Sequence, residues 1–295
     1  MKQVTLGEVS VGAIAYGCWR FAGSTTAEAD LKIETALDCG MTLIDTADIY
    51  GFGEPAGFGG AEQVLGDLLN AKPGLRARMV LATKGSITPP RPYDASYTYL
   101  MDALDASLKR LQTDYVDLYQ IHRPDITAPI GETAAALDAM VRSGKARAVG
   151  ISNYTAAQAR ALQTHMHTTL VSMQPEFSPI CQDPITDGVL DWCMETQAAC
   201  LAWSPLGGGR LLQPGEAGGQ AQRVIAALNK IAEAHTGDIA QIALAFVRAH
   251  GAKVIPIIGT QTPDRIRAAA KAAEITLSAR EFYDIIEAYR GVPMP

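Results

Sequence analysis

Four side chains near the ends of short apolar runs are able to move or position a proton. Asp45, Lys84 and His122 come at or just after the ends of three runs, and Tyr50 lies five residues beyond Asp45. A tyrosine has a reference pKa of about 10 and is a poor acid at neutral pH. A nearby ammonium stabilises the phenolate and lowers that pKa, and a carboxylate holds the ammonium in place. Such a set is suited to general acid catalysis, with the histidine orienting a substrate oxygen.

The elements that must hold these residues are eight apolar runs separated by helix patterns. Each run is short enough to be a buried parallel strand. Leu100, Leu104, Leu108 and Leu111 represent the intervening patterns, because they fall on one helical face. Eight strands alternating with helices predict an α/β fold, a (β/α)8 barrel whose active site lies at the C-terminal ends of the strands. The runs are Ala13–Tyr16, Met41–Ile44, Met79–Ala82, Val116–Ile121, Ala146–Ile151, Leu170–Met173, Cys200–Trp203 and Lys253–Ile257.

A doubly wound open sheet is the competing fold. Its usual fingerprint, GxGxxG between the first strand and the first helix, is absent from this sequence. The other strand ends also carry polar or aromatic residues, which the barrel would bring to the same face. They are Ser152 and Asn153, Gln174, Trp203 and Ser204, and Gly259, Thr260 and Gln261.

Three further segments lie outside the eightfold pattern. Val4–Val11 resembles a small hairpin around Gly7 and Glu8, placed to plug the bottom of the barrel. We expect two extra helices, one within Asp238–Ala249 and the other over Ser278–Tyr289. Ser278 and Glu281 have the spacing of a capping box for the latter. We expect residues 1–295 to form one barrel domain.

The bulk properties restrict the class of protein. The chain has 295 residues, of which 48% are hydrophobic, and a net charge of −6, without a basic stripe that would suit a nucleic acid. No run reaches the roughly 18 apolar residues that span a bilayer, and the first ten residues lack a signal core. These features predict a cytoplasmic protein. The five cysteines form no CxxC pair, and no HxH or HExxH spacing suggests a metal site.

A series of motifs resembles the aldo-keto reductase family in the correct order, from about residue 4 to 290. The segment 45–51 resembles DTADxYG, and Glu62 is the first residue of a segment that resembles ExxLG. Lys84 ends a predicted strand, as the family lysine does. The segments 114–122, 144–153, 202–206 and 255–265 resemble DYxDLxxxH, GK(I/V)RxxGxSN, YSPL and the cofactor phosphate segment. The combination of segments 17–20, 122–125 and 207–211 is closest to a bacterial subgroup of uncertain substrate.

The resemblance implies an NADPH-dependent oxidoreductase that reduces a small aldehyde or ketone to an alcohol. Asp45, Tyr50, Lys84 and His122 match the catalytic tetrad, with Tyr50 as the proton donor and nicotinamide as the source of hydride. Trp203 matches the ring that stacks on nicotinamide. The residues expected to bind the cofactor are Gly17, Trp19, Asp45, Ser152, Asn153, Gln174, Trp203, Ser204, Leu206, Gly208, Arg210, Gly259, Thr260, Gln261 and Arg265.

Some positions depart from the family pattern. Where the family has a lysine or equivalent polar residue near the 2′-phosphate, this sequence has Gly259. Where the family often has residues that bind adenine, this sequence has Ala268 and Ala269. Arg265 still matches the phosphate-binding arginine. We therefore expect a moderate preference for NADPH, with NADH as a weaker alternative. The insert Phe52–Gly60 is either a mobile lid or a loose loop.

Two other function classes remain open from the residues alone. One is a binding or regulatory module on the same fold, similar to the channel-associated β subunits that resemble these reductases. The other is a metal-dependent barrel hydrolase, for which the sequence shows no ligand cluster. Cys18, between Gly17 and Trp19, is either a small side chain that fits its place or a reactive thiol lining the nicotinamide pocket.

Overall fold

The predicted closed barrel is the central feature of the computed structural model, which describes residues 1–213 and 219–295. Eight parallel strands pair in the order β10-β3-β4-β5-β6-β7-β8-β9, and β10 also pairs with β9, so that the ring has no edge. The open-sheet alternative is therefore excluded. The strands are β3 (Ala15–Gly17), β4 (Leu43–Asp45), β5 (Val80–Gly85), β6 (Val116–Ile121), β7 (Ala146–Ser152), β8 (Leu170–Gln174), β9 (Ala199–Ala202) and β10 (Val254–Ile258).

All eight apolar runs are confirmed as strands, with one systematic difference at their ends. Four strands continue into the polar residues that were expected to follow them: Asp45 ends β4, Lys84 lies within β5, Ser152 ends β7 and Gln174 ends β8. Asp45 pairs with strands on both sides, whereas Lys84, Ser152 and Gln174 each pair with one neighbouring strand, and this pairing extends the ladder to them. Their side chains are buried, which hydropathy alone does not predict.

Ten α-helices lie in the described ranges and surround the strands. Four of them begin with a capping box, because the side chains of residues N-cap and N3 satisfy each other's backbone N–H groups. Ser278 and Glu281 form one of these boxes, as predicted. The helices are α1 (Thr26–Asp38), α2 (Gly60–Ala71), α3 (Tyr97–Leu111), α4 (Ile130–Arg142), α5 (Ala156–Gln163), α6 (Val189–Thr196), α7 (Gln220–His235), α8 (Ile239–Ala249), α9 (Pro263–Ala270) and α10 (Ala279–Arg290).

The N-terminal hairpin is confirmed as β1 (Gln3–Leu6) paired antiparallel with β2 (Val9–Gly12). Leu6 and Val11 are buried in the same apolar cluster as inward-facing strand residues such as Leu43 and Leu118. The hairpin thus covers the apolar interior of the barrel at the end opposite Asp45 and Lys84.

Two helices exceed the eightfold pattern, as predicted, but one of them is not the helix that was expected. The segment Ile239–Ala249 packs on strand β10, as a barrel helix does, whereas α7 packs against α10. The extra pair is therefore α7 and α10, and the assignment of α8 as extra is wrong. Periodicity identifies both α7 and α8 as amphipathic, and only their packing partners distinguish them.

Helices α2 and α3 approach each other closely at Gly66. A methyl group at this position would collide with the backbone carbonyl oxygen of Arg110 on α3. Beside this contact, the buried carboxylate of Glu62 accepts hydrogen bonds from Arg110 Nε, at 2.7 Å, and from Thr83 Oγ1. This bridge ties α2 and α3 to strand β5, which carries Lys84.

We predict that Gly66→Ala destabilises the fold by about 1–3 kcal/mol, because overpacking of the α2–α3 contact outweighs the gain in helix propensity. Gly74→Ala is the matched control, since a methyl group there would meet no heavy atom within 4 Å. Urea denaturation followed by circular dichroism measures both changes. A Gly66→Ala variant as stable as Gly74→Ala would show that the contact tolerates a side chain.

Candidate active site

The C-terminal ends of neighbouring strands bring the predicted carboxylate, ammonium and imidazole groups together. Lys84 on β5 pairs in register with Gln120 on β6, and β4 ends at Asp45 beside β5. His122 directly follows β6, and its backbone N–H donates to Gly85 O at 2.8 Å. Parallel strands end at one face of a barrel, so that residues distant in sequence meet there.

The ammonium of Lys84 is the centre of the hydrogen-bond network at this face. Its Nζ donates to Asp45 Oδ2 at 2.7 Å, to the backbone oxygen of Thr46 at 2.7 Å and to Tyr50 Oη at 3.2 Å. An ammonium has three N–H donors. All three are therefore used, and one of them holds the phenol of Tyr50.

Burial and neighbouring charges shift the pKa values of Lys84 and Tyr50 in opposite directions. Burial alone would lower the pKa of Lys84, but Asp45 and Tyr50 outweigh it and raise that pKa above the usual value. Burial raises the pKa of Tyr50, and the Lys84 ammonium opposes this rise without cancelling it. The net shift of the Tyr50 pKa is therefore upward, and the prediction of a lowered pKa is wrong. The effect of Lys84 alone is to lower this pKa, as predicted. At neutral pH the lysine is charged and the phenol keeps its proton.

His122 lies against Tyr50 as a neutral imidazole. The two rings meet edge to face, with their centroids 5.7 Å apart. Burial, Lys84 and Arg123 lower the pKa of His122 well below its usual value. Its Nδ1 is buried and has no hydrogen-bond partner among the described residues. The ring therefore offers a hydrogen bond without adding charge to the site.

Asp45 is held by two amides as well as by Lys84. Its Oδ1 accepts from Gln120 Nε2 at 3.4 Å and from Gln174 Nε2 at 3.2 Å. Ser172 Oγ donates to Gln120 Oε1 at 3.2 Å and so orients that amide. The sequence analysis missed Gln120 because this residue lies inside an apolar strand. The register of the barrel, which pairs Gln120 with Lys84, is what identifies it as a site residue.

Beside the tetrad residues, a polar layer continues to Trp203. Asn153 Nδ2 donates to Ser152 Oγ at 2.7 Å and to His122 O at 3.1 Å, while Asn153 Oδ1 accepts from Trp203 Nε1 at 3.0 Å. Ser152 Oγ donates in turn to Gln174 O at 2.8 Å. The four residues expected around the nicotinamide amide and ring are therefore joined to one another and to His122.

The loop after β9 places glycines where the expected pyrophosphate segment lies. Gly208 and Gly209 have φ of 68° and 96°, and an added methyl group would meet nothing at either position. Arg210 is exposed, and its Nε donates to Gly207 O at 3.0 Å. Ser204, with φ of 49°, begins this turn, and Leu206 is its half-buried apolar residue. The backbone here is open to an incoming group.

The segment after β10 lies beside Trp19. A methyl group on Gly259 would come within 3.3 Å of the Trp19 ring, which is 53% exposed. Thr260 O accepts from Tyr16 Oη at 2.9 Å. Arg265 is exposed, and its guanidinium makes no hydrogen bond or ion pair within residues 1–213 and 219–295. Gly17, on β3, pairs in register with Asp45.

These features fit a phosphate-bearing dinucleotide. A free guanidinium and an open glycine turn suit its phosphates, and the amide layer with Trp203 suits a flat amide-bearing ring. No cluster of three or more His, Cys, Asp or Glu side chains able to hold a metal occurs in the described part of the chain. Within that same part, no helix combines the length and the apolar character needed to cross a membrane.

Two further buried groups, Cys18 and Asp48, lie near the site. The Cys18 thiol is fully buried, and burial followed by Asp45 raises its pKa, so the alternative of a small side chain that fits its place is favoured over a reactive thiol. Asp48 is buried with neither carboxyl oxygen hydrogen-bonded in the described residues. Burial, reinforced by Glu62, raises the pKa of Asp48 well above its usual range.

Comparisons with known proteins identify the family of this chain. The model of the Aldo/keto reductase family matches residues 13–290. A 6-dehydroglucose reductase from Novosphingobium aromaticivorans is 45% identical, over 100% of this chain and 97% of that protein. Another from Agrobacterium fabrum is 37% identical, over 97% of each chain. The crystal structure of a thermostable aldo-keto reductase in complex with the inhibitor epalrestat is 29% identical with a TM-score of 0.84, over 98% of this chain and 100% of that one. The chain therefore belongs to the aldo/keto reductase family and is an NAD(P)H-dependent oxidoreductase that reduces carbonyl groups.

Proposed function

We propose that this enzyme reduces the aldehyde of a sugar or a similarly hydroxylated compound, with NADPH as cofactor and Tyr50 as proton donor. The observation that carries the chemistry is the single ammonium of Lys84 shared by Asp45, Thr46 and Tyr50. The substrate class is supported by two relatives named for the reduction of 6-dehydroglucose.

The proton comes from the phenol of Tyr50. Because its pKa is raised, the phenol is fully protonated at neutral pH and remains loaded as an acid. As the proton leaves for the carbonyl oxygen, negative charge grows on Tyr50 Oη, 3.2 Å from Lys84 Nζ. The ammonium stabilises this charge in a buried setting, where such an interaction is stronger than in water. NADPH supplies the hydride when it is bound.

His122 orients the carbonyl oxygen. As a neutral imidazole it donates one N–H to that oxygen and does not compete with Tyr50 as a proton source. Its ring is fixed by the edge contact with Tyr50 and by its backbone bond to Gly85. The carbonyl therefore meets two aligned donors, one of which transfers its proton.

The cofactor is held along the polar face already described. When the cofactor binds, Ser152, Asn153 and Gln174 would hold the carboxamide, Trp203 would stack on the nicotinamide ring, and the turn at Gly208 and Arg210 would hold the pyrophosphate. The segment Gly259–Gln261 and Arg265 would bind the adenosine 2′-phosphate, which NADH lacks. Arg265 is the charged group suited to this phosphate, because its side chain is exposed and unpaired within the described ranges.

The position of Arg123 favours a hydroxylated substrate. It follows His122 in the chain, and its guanidinium lies over the Trp203 ring, 5.9 Å from the ring centroid. Ser86 binds the backbone of Arg123 at both its N–H and its oxygen, whereas the guanidinium makes no hydrogen bond or ion pair in the described ranges. A guanidinium offers five donors in a plane. Sugar hydroxyl groups next to the aldehyde are suitable acceptors.

We predict that Arg123→Met raises the KM for a sugar aldehyde by about 10- to 100-fold, the effect of losing a hydrogen bond to a charged group. The substrate 4-nitrobenzaldehyde has no hydroxyl groups and serves as the internal control, so its KM should change little. Oxidation of NADPH followed at 340 nm measures both. Equal losses for the two aldehydes would remove Arg123 from substrate selection, and a wild type inactive with every sugar aldehyde would refute the proposed substrate class.

We predict that Tyr50→Phe lowers kcat by about 100-fold or more and leaves the affinity for NADPH unchanged. The substitution removes only the acidic hydroxyl, so the ring still packs against His122. Cofactor affinity is measured by quenching of tryptophan fluorescence and kcat by aldehyde reduction. Near-normal turnover by this variant would assign the proton to another group.

We predict that Lys84→Met lowers kcat strongly and moves the alkaline limb of the pH profile to higher pH. Lys84 opposes the rise of the Tyr50 pKa, so its removal raises that pKa further and the acid keeps its proton to a higher pH. Asp45→Asn should have a smaller effect on kcat, since it removes the holder of the ammonium and not the ammonium. An alkaline limb that stays in place in Lys84→Met would contradict the coupling between Lys84 and Tyr50.

A further inference from the structure

Lys32 is a second buried lysine, on helix α1 and not part of the tetrad. Its residue exposure is only 8%. Its Nζ donates to Gln261 Oε1 at 2.8 Å and to Ser24 Oγ at 3.1 Å, and lies 5.1 Å from the centroid of the Phe21 ring. Because an ammonium has three N–H donors, these two hydrogen bonds leave one donor uncommitted among the described residues.

The charge of Lys32 lacks the compensation that Lys84 has. Lys84 forms an ion pair with Asp45, but no carboxylate lies within 4.0 Å of Lys32 Nζ in residues 1–213 and 219–295. Burial lowers the pKa of Lys32, and the more distant Glu28 opposes this change. Buried charges in proteins are normally paired. A cation placed in this way is most stable when an anion arrives beside it.

The contact with Gln261 brings Lys32 to the segment that our proposed function assigns to the 2′-phosphate. Helix α1 packs against α9, and Arg265 lies in α9 four residues after Gln261. Gln261 Nε2 donates to Gly259 O at 3.2 Å, so the amide that Lys32 holds also braces the loop. Gly259 itself carries no side chain to meet a phosphate.

We propose that Lys32 supplies the second positive charge that selects the 2′-phosphate of NADPH over the free hydroxyl of NADH. A phosphate monoester carries about −1.5 to −2 charges at pH 7, which one arginine does not balance. Lys32 and Arg265 together match it. The inference rests on the proposed use of NADPH, and it makes Lys32 a specificity-determining residue contributed by α1 rather than by the segment after β10.

The test compares affinities for NADPH and NADH in wild type, Lys32→Met and Lys32→Arg, by quenching of tryptophan fluorescence. We expect Lys32→Met to weaken NADPH binding about 10- to 100-fold and to leave NADH binding nearly unchanged, because only NADPH loses a hydrogen bond to a charged group. Lys32→Arg keeps the charge and should keep most of the preference. Lys109→Met, at an exposed lysine of α3, is the matched control and should change neither affinity.

The unfolding temperature measured without cofactor distinguishes a loss of phosphate recognition from a loss of folding stability. Methionine has a similar length and removes an uncompensated charge, which offsets the loss of the hydrogen bonds to Gln261 and Ser24, so Lys32→Met should unfold at about the same temperature as wild type. If Lys32→Met fails to fold, Lys32→Gln replaces it in the titrations, since it also removes the charge.

The outcomes distinguish this inference from the proposed cofactor. Equal losses of NADPH and NADH affinity in Lys32→Met would show that Lys32 only holds the loop through Gln261, and would overturn the inference. An unchanged ratio of the two affinities would overturn it as well. A wild type that binds NADH as tightly as NADPH would instead refute the proposed preference for NADPH. In the double variant Lys32→Met, Arg265→Ala we expect the preference to disappear.

Discussion

The ammonium of Lys84, fully buried at the mouth of the barrel, is the constraint on which the site depends. An isolated ammonium is costly to bury, so the surrounding protein must provide charge and acceptors for it. Asp45 supplies the charge, and Thr46 O and Tyr50 Oη complete the set of acceptors. Satisfying Lys84 therefore also determines where the phenol lies.

The strands that carry these groups are held by a second, more peripheral arrangement. Glu62 on α2 accepts from Thr83, the residue before Lys84, and pairs with Arg110 on α3. The close approach at Gly66 brings the same two helices together. Asp45 is restrained from the other side by Gln120 and Gln174. The geometry at Tyr50 thus depends on packing between α2 and α3, two helices that carry none of the proposed site residues.

Several cations near the proposed cofactor and substrate sites lack carboxylate partners among the described residues, although the net charge of the chain is −6. Lys32, Arg123 and Arg265 lack carboxylate partners in the described part of the chain, whereas other cations such as Arg76, Arg110 and Lys145 are paired. Self-neutralised cations contribute to the fold, and unpaired cations are available to anions and hydroxyl groups. This distribution suits an enzyme whose cofactor carries several phosphates.

Sequence alone determined the strands, the order of the motifs and the identity of the residues at the strand ends, because hydrophobic period and residue type are local properties. It predicted the hairpin and the capping box of α10 for the same reason. It misassigned α8, since two amphipathic helices look alike until their packing partners are known. The net direction of the Tyr50 pKa shift, the role of Gln120 and the proximity of Lys32 to Gln261 were decided only by tertiary structure. Burial and distances between residues far apart in the chain arise when the barrel closes, and no local pattern encodes them.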